Sequence, residues 1–281
     1  AIVTGANSGI GYETARLLAA KDAHVVLACR SAERGEAARD RIRAAHPEAS
    51  VELQTLDLAS RASIERFASW FLDQHAQLDL LINNAGIMVP PLTRTTEGFE
   101  VQFGVNHLGH FALTAQLFPR LEATPGSRIV TVSSLAHRMG RIDFENLNAE
   151  KRYRPWEAYG QSKLANLLFT YELQRRLEAR GDGVVALAAH PGWTATNLQA
   201  NSLAMRVLNP AFAMQPEGGA MPTLRAATDP DARGGTYYGP RSCFEMRGTP
   251  RRVRSNRRSH DRTTAARLWT TSETLTGMRF M

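Results

Sequence analysis

A tyrosine and a lysine stand four residues apart in Tyr159-Gly160-Gln161-Ser162-Lys163, and two serines, Ser133 and Ser134, precede them by about 25 residues. Apolar residues continue at helical spacing from Leu164 towards Arg176, so Tyr159 and Lys163 fall on one helix face. A phenol with its ordinary pKa near 10 is protonated at neutral pH, and a neighbouring ammonium favours its anion. Such a pair can give a proton to a carbonyl oxygen or take one from an alcohol.

A second constellation opens the chain, in Ala1-Ile2-Val3-Thr4-Gly5-Ala6-Asn7-Ser8-Gly9-Ile10-Gly11. An apolar run passes through three glycines into the helix-favouring Ala15–Ala20, which reads as strand, tight loop and helix. Backbone N–H groups and the positive end of a helix dipole then converge on one spot suited to a phosphate. The spacing of Gly5, Gly9 and Gly11, with Asn7, Ser8 and Ile10 between them, differs from the common G-x-G-x-x-G fingerprint but serves the same physics.

These residues need a scaffold, and the chain supplies alternating elements. Strand-like runs occur at His24–Cys29, Val51–Leu56, Leu78–Ile82, Arg128–Ser133 and Val184–Ala189, with helix-length segments such as Ala32–Ala45 and Ile64–Gln74 between them. The pattern predicts a single α/β domain, a doubly wound parallel sheet with helices on both faces. Ligands of such sheets sit at the carboxyl ends of the strands. There the second run ends in Cys29-Arg30-Ser31, where dinucleotide folds commonly carry an acid for the ribose 2′-OH. Cys29 in the acid's place, with Arg30 and Ser31 beside it, favours a 2′-phosphate, although Arg30 also reads as an ordinary surface arginine. The third run leads to Asp57-Leu58 and the fourth to Asn84-Ala85-Gly86, polar groups where adenine and ribose would lie. Asp57 reads equally well as a helix N-cap.

Composition narrows the class. Two cysteines, Cys29 and Cys243, form no disulfide framework in 281 residues, which fits a cytoplasmic protein. No run approaches the length of a membrane span. The chain starts inside its first strand, so residues are expected to precede Ala1, and an anchor there would be invisible. The net charge of +7 includes a cluster at Arg247, Arg251, Arg252, Arg254, Arg257, Arg258 and Arg262. It reads as a solvated surface, and no nucleic-acid partner is expected.

Together, "TGANSGIG", "NNAG", "VNHLGHF", "VSS", "YGQSK" and "HPGWTAT" resemble the short-chain dehydrogenase/reductases, over Thr4 to about Thr196. "ANSGIG", "NHLGHF", "SKLAN" and "RLWTTSETLTG" are most similar to the branch of retinol dehydrogenases and the WW-domain oxidoreductase. The resemblance implies that Lys163 also bonds the nicotinamide ribose and that Ser134, rather than Ser133, orients the substrate oxygen. It implies that Asn106 holds a water linking Lys163 to solvent, against the plainer reading of a helix-interior asparagine bonded to backbone. Pro191, Gly192, Thr194 and Thr196 would meet the carboxamide end of the cofactor. Residues 193–215 would form an apolar lid, and about 240–281 a C-terminal extension.

The expected activity is hydride transfer between NADP(H), preferred over NAD(H), and a small apolar carbonyl or alcohol. The alternative is a non-catalytic dinucleotide sensor. At family level a homodimer or homotetramer is expected, paired through the helices around Asn106 and after Tyr159.

Overall fold

The fold is that of a computed structural model, which describes residues 1–194 and 214–281. Six parallel strands come from the apolar runs: β1 (Ile2–Thr4), β2 (Val25–Cys29), β3 (Val51–Thr55), β4 (Leu80–Asn83), β5 (Arg128–Val132) and β6 (Val185–Ala189). Two more, β7 (Tyr237–Ser242) and β8 (Arg247–Val253), extend the sheet, whose order is β3-β2-β1-β4-β5-β6-β7-β8. Only β8 runs antiparallel, against β7. The chain changes direction across the sheet at β1, which pairs with β2 on one side and β4 on the other. That switch point opens the crevice at the strands' carboxyl ends.

Alternate residues of the buried strands feed two cores. Val3, Leu27, Ile82, Val130 and Leu187 pack with Ala15, Leu18 and Ile42 on one face. These come from helices α1 (Gly9–Ala19) and α2 (Ala32–Ala45), and Ala220 and Leu224 of α6 (Pro216–Thr228) join them. Ile2, Val26, Leu81 and Ile129 face the other way, towards Phe67 of α3 (Arg61–Gln74). Phe111 and Leu117 of α4 (101–122) and Phe169 of α5 (Pro155–Arg180) complete that side. Helix α4 comprises Val101–Phe103, a π-helical stretch Gly104–Gly109 and His110–Glu122.

Local signals set the ends. Ser31 and Ser60 accept from the amides of Arg34 and Ser63 at the starts of α2 and α3. Helix α5 begins on Pro155 and stops at Gly181, whose φ is 73°.

The C-terminal helix α7 (Arg262–Thr276) lies on α5 and the π-helical stretch. Trp269 stacks on Phe169 at 5.9 Å and on Phe280 at 5.0 Å, and its ring meets Phe111 edge-on. Ala265 and Leu268 pack against Phe103, Leu108 and Leu164. The two helices expected to pair subunits thus also pack against the chain's own C-terminal helix. Arg251 and Arg252 lie exposed on edge strand β8, with Pro250 between the sheet and solvent, a composition that discourages further strand pairing.

Candidate active site

A cavity of about 650 Å³ opens at the carboxyl ends of β1, β2, β4, β5 and β6. Its walls include Gly5, Asn7, Ser8, Gly9, Ile10, Gly11, Arg30, Ser31, Asp57, Leu58, Asn84, Ala85 and Gly86. Ser134, Tyr159, Lys163, Pro191, Gly192 and Thr194 line it as well. The two constellations, far apart in sequence, therefore share one space. Asn106 stands behind the wall, and Thr196 and most of the expected lid fall outside the described residues.

At one end, the turn after β1 carries the chain into α1. No side chain caps this helix: Ser8 occupies the N-cap position without bonding a first-turn amide. Gly9, Ile10 and Gly11 of its first turn line the cavity, and uncapped amides with a helix dipole suit an anion. A Cβ on Gly11 would lie 2.4 Å from both Asn84 Nδ2 and the Gly5 carbonyl, so only glycine lets the helix pack this close to β4. Thr4 holds the same junction, accepting from the amides of Asn84 and Ala85 at 2.9 Å. Its hydroxyl also meets His110 Nε2 at 2.9 Å, and Asn84 Nδ2 donates to its carbonyl.

Arg30 and Arg34 both reach the cavity rim beside Ser31. Cys29 does not occupy the place expected of it. Its side chain is fully buried in the core with Val3 and Ala38, because alternate residues of β2 point to opposite faces. Burial pushes its thiol up to about 12. Arg30, the next residue, lines the cavity instead. Asp57 is engaged locally, accepting from the Ala59 amide at 2.9 Å, while α3 is capped by Ser60 rather than by Asp57.

At the other end, Tyr159 and Lys163 lie one turn apart on α5, with Lys163 Nζ 5.8 Å from the Tyr159 ring centroid. Nζ donates to the Val132 carbonyl at 3.1 Å. Both serines border the cavity: the Ser133 hydroxyl is committed to the Lys163 carbonyl, whereas the Ser134 hydroxyl accepts from the Ala136 amide. Burial pushes the Tyr159 phenol up to about 12, against a smaller downward pull from the Ser134 hydroxyl. Burial also brings the Lys163 ammonium down to about 8. The ammonium was expected to favour the phenolate. Burial is the larger influence on both groups, favouring the neutral phenol and the neutral amine.

Asn106 sits in the π-helical stretch, a deformation often found at functional sites. Its Oδ1 accepts from the Ile87 amide at 2.7 Å, and its Nδ2 donates to the Ile87 carbonyl and to Ser162 Oγ. The side chain is a clamp between the loop after β4 and helix α5. A Cβ on Gly86 would lie 3.3 Å from Asn106 Oδ1 and 3.4 Å from Lys163 Nζ, so both border the same point.

Apolar residues finish the cavity: Met88, Leu135, Met139, Trp156 and Met246. Trp156 precedes Tyr159 by three residues and meets it edge-on at 6.3 Å. Helical periodicity alone places it on that face. Met246 comes from the β7–β8 turn, whose Glu245 reaches Arg138 at 2.7 Å and His190 at 3.4 Å. No local signal in the sequence joins that turn to the site. Thr194 donates to the Pro191 carbonyl and is buried against Gly219 of α6.

The uncapped start of α1 and the Tyr159–Lys163 pair thus border one cavity, and known proteins are similar to this chain in sequence. The family model for short chain dehydrogenase matches residues 1–206. This chain belongs to the short-chain dehydrogenase family. Retinol dehydrogenase 12 of Homo sapiens is 43% identical over 285 residues, 99% of this chain and 86% of the relative. Retinol dehydrogenase 11 of Homo sapiens is 48% identical over 229 residues, 80% of this chain and 71% of the relative. An uncharacterized protein from Mycobacterium paratuberculosis has a crystal structure that aligns with a TM-score of 0.84 at 47% identity, covering 100% of this chain and 94% of that one. This short-chain dehydrogenase is thus an oxidoreductase of the nicotinamide-dinucleotide class, and its donor set fits such a cofactor. Among its described residues no helix is long and apolar enough to cross a membrane.

Proposed function

We propose that the protein transfers a hydride between NADP(H) and an apolar carbonyl or alcohol, with Tyr159 as the acid/base. The observation that carries this reading is the placement of Tyr159, Lys163 and Ser134 on the same cavity as the uncapped start of α1. When bound, the dinucleotide supplies or accepts the hydride at its nicotinamide. Tyr159, held protonated by burial, gives its proton to the carbonyl oxygen as that oxygen gains charge. Ser134 orients the same oxygen. Lys163, fixed on the Val132 carbonyl, keeps a positive charge beside the phenol and holds the ribose. Arg30, with Ser31 and Arg34 beside it, receives the 2′-phosphate.

Leu135, Met139, Trp156 and Met246 favour a substrate with an extended apolar body. The relatives named as retinol dehydrogenases support a retinoid-type alcohol or aldehyde. The test is loss of NADPH absorbance with a panel of retinoid, aliphatic and aromatic aldehydes. Turnover is expected with the apolar aldehydes. Tight NADPH binding with no turnover across the panel would overturn the reading in favour of a dinucleotide sensor.

A further inference from the structure

At the opposite end of the sheet from the cavity, three potential ligands meet. His24 immediately precedes β2, Glu52 is the second residue of β3, and His75 caps the end of α3. All three therefore lie at or near the amino ends of strands, away from the crevice. One ligand atom from each lies within 4.8 Å of the others. Glu52 Oε2 is 3.4 Å from His24 Nε2 and 3.3 Å from His75 Nε2.

We propose that His24, Glu52 and His75 form a binding site for a divalent transition metal, zinc above all. Tetrahedral zinc with nitrogen and oxygen ligands at about 2.0–2.1 Å places those ligands about 3.3–3.4 Å from one another. The two separations from Glu52 match that edge, and the two imidazoles lie within 4.8 Å of one another. His75 Nε2 is buried and faces the Glu52 carboxylate. Its ring is fixed by stacking on Phe71 at 4.6 Å and by the edge of Trp70.

His24 has the outer contact that metal-bound imidazoles usually carry: Nδ1 lies 2.7 Å from Ser50 Oγ. The Ser50 hydroxyl can accept there, which leaves Nε2 as a lone pair directed at the Glu52 side. Two neutral imidazoles and one carboxylate suit zinc, and a water completes the tetrahedron from solvent because His24 is exposed. The metal would tie the entry of β2 to β3 and to the end of α3, so it stabilises the folded state by mass action.

The test is calorimetric titration of the chelator-treated protein with zinc chloride, with cobalt(II) as an optical probe of tetrahedral geometry. One equivalent of zinc is expected, together with a rise in thermal midpoint. Glu52→Gln, which keeps shape and fold, should abolish saturable binding at this site, and Ser50→Ala should weaken it about tenfold. Unchanged thermal midpoints of the metal-free variants would show that folding is intact. Absence of saturable zinc binding by the natural sequence overturns the proposal. So does zinc binding that survives Glu52→Gln unchanged.

Discussion

The ammonium of Lys163 is bonded to the carbonyl of Val132 at 3.1 Å, and Asn166 donates to that same carbonyl. The cation beneath Tyr159 is therefore anchored to the last residue of β5, at the strand end that also delivers Ser134. Helix α5 and strand β5 act as one rigid mount, which is what proton transfer at a fixed distance requires.

Replacing Lys163 with Met should raise the dissociation constant for NADPH by about tenfold or more, the loss of one charge-assisted hydrogen bond. Because burial brings the ammonium down to about 8, natural-sequence affinity should decline as pH rises past that value. Bonding to the ribose moves the step upward. The variant should show no such alkaline step when binding is followed by fluorescence titration, and an affinity and profile equal to the natural sequence would remove Lys163 from the ribose.

Cofactor choice is testable at Arg30. Changing it to Asp places a carboxylate where a 2′-phosphate would bind, at a position already on the cavity rim. The ratio of kcat/KM for NADPH over NADH should fall ten- to a hundredfold, from about 1.5–3 kcal/mol for a charge-assisted bond. Cys29 is buried against Ala6 of the turn after β1, so Arg30 is the accessible position at which to place the acid. A ratio that does not move would place phosphate recognition on other residues.

Much of this was legible from sequence, for physical reasons that differ by region. Strands β1, β2, β4, β5 and β6 are buried almost throughout, so their apolar runs stand out, and the glycine turn and the Tyr159 to Lys163 spacing are local signals. Strands β7 and β8 were not legible: Tyr237–Ser242 contains glycine and proline, and Arg247–Val253 is an exposed edge rich in arginine. Met246 reaches the cavity only through their pairing. The direction of Cys29 depended on register, which a one-residue shift reverses. The π-helical stretch at Asn106 carries no compositional signature.

Buried histidines should make the protein acid-sensitive. Burial lowers His107 to about 3 and His110 and His137 to about 4. Above pH 6.5 both folded and unfolded forms are neutral at these rings. As pH falls below it, the unfolded chain takes up protons that the folded one does not, so stability drops until the folded values are reached. Each histidine should remove about 2 kcal/mol between pH 7 and pH 5. His107→Gln, which can keep a bond to Ser272, should lessen the loss by that amount in urea denaturation. An unchanged difference between the two pH values would contradict the assignment.

The most direct measurement of the account is turnover and NADPH binding by Tyr159→Phe. The ring would still pack beside Trp156 and Lys163, and only the phenolic hydroxyl would be gone. The expected result is an NADPH dissociation constant within about threefold of the natural sequence, together with loss of carbonyl reduction by about a hundredfold or more. Retention of substantial reduction by this variant would contradict Tyr159 as the acid.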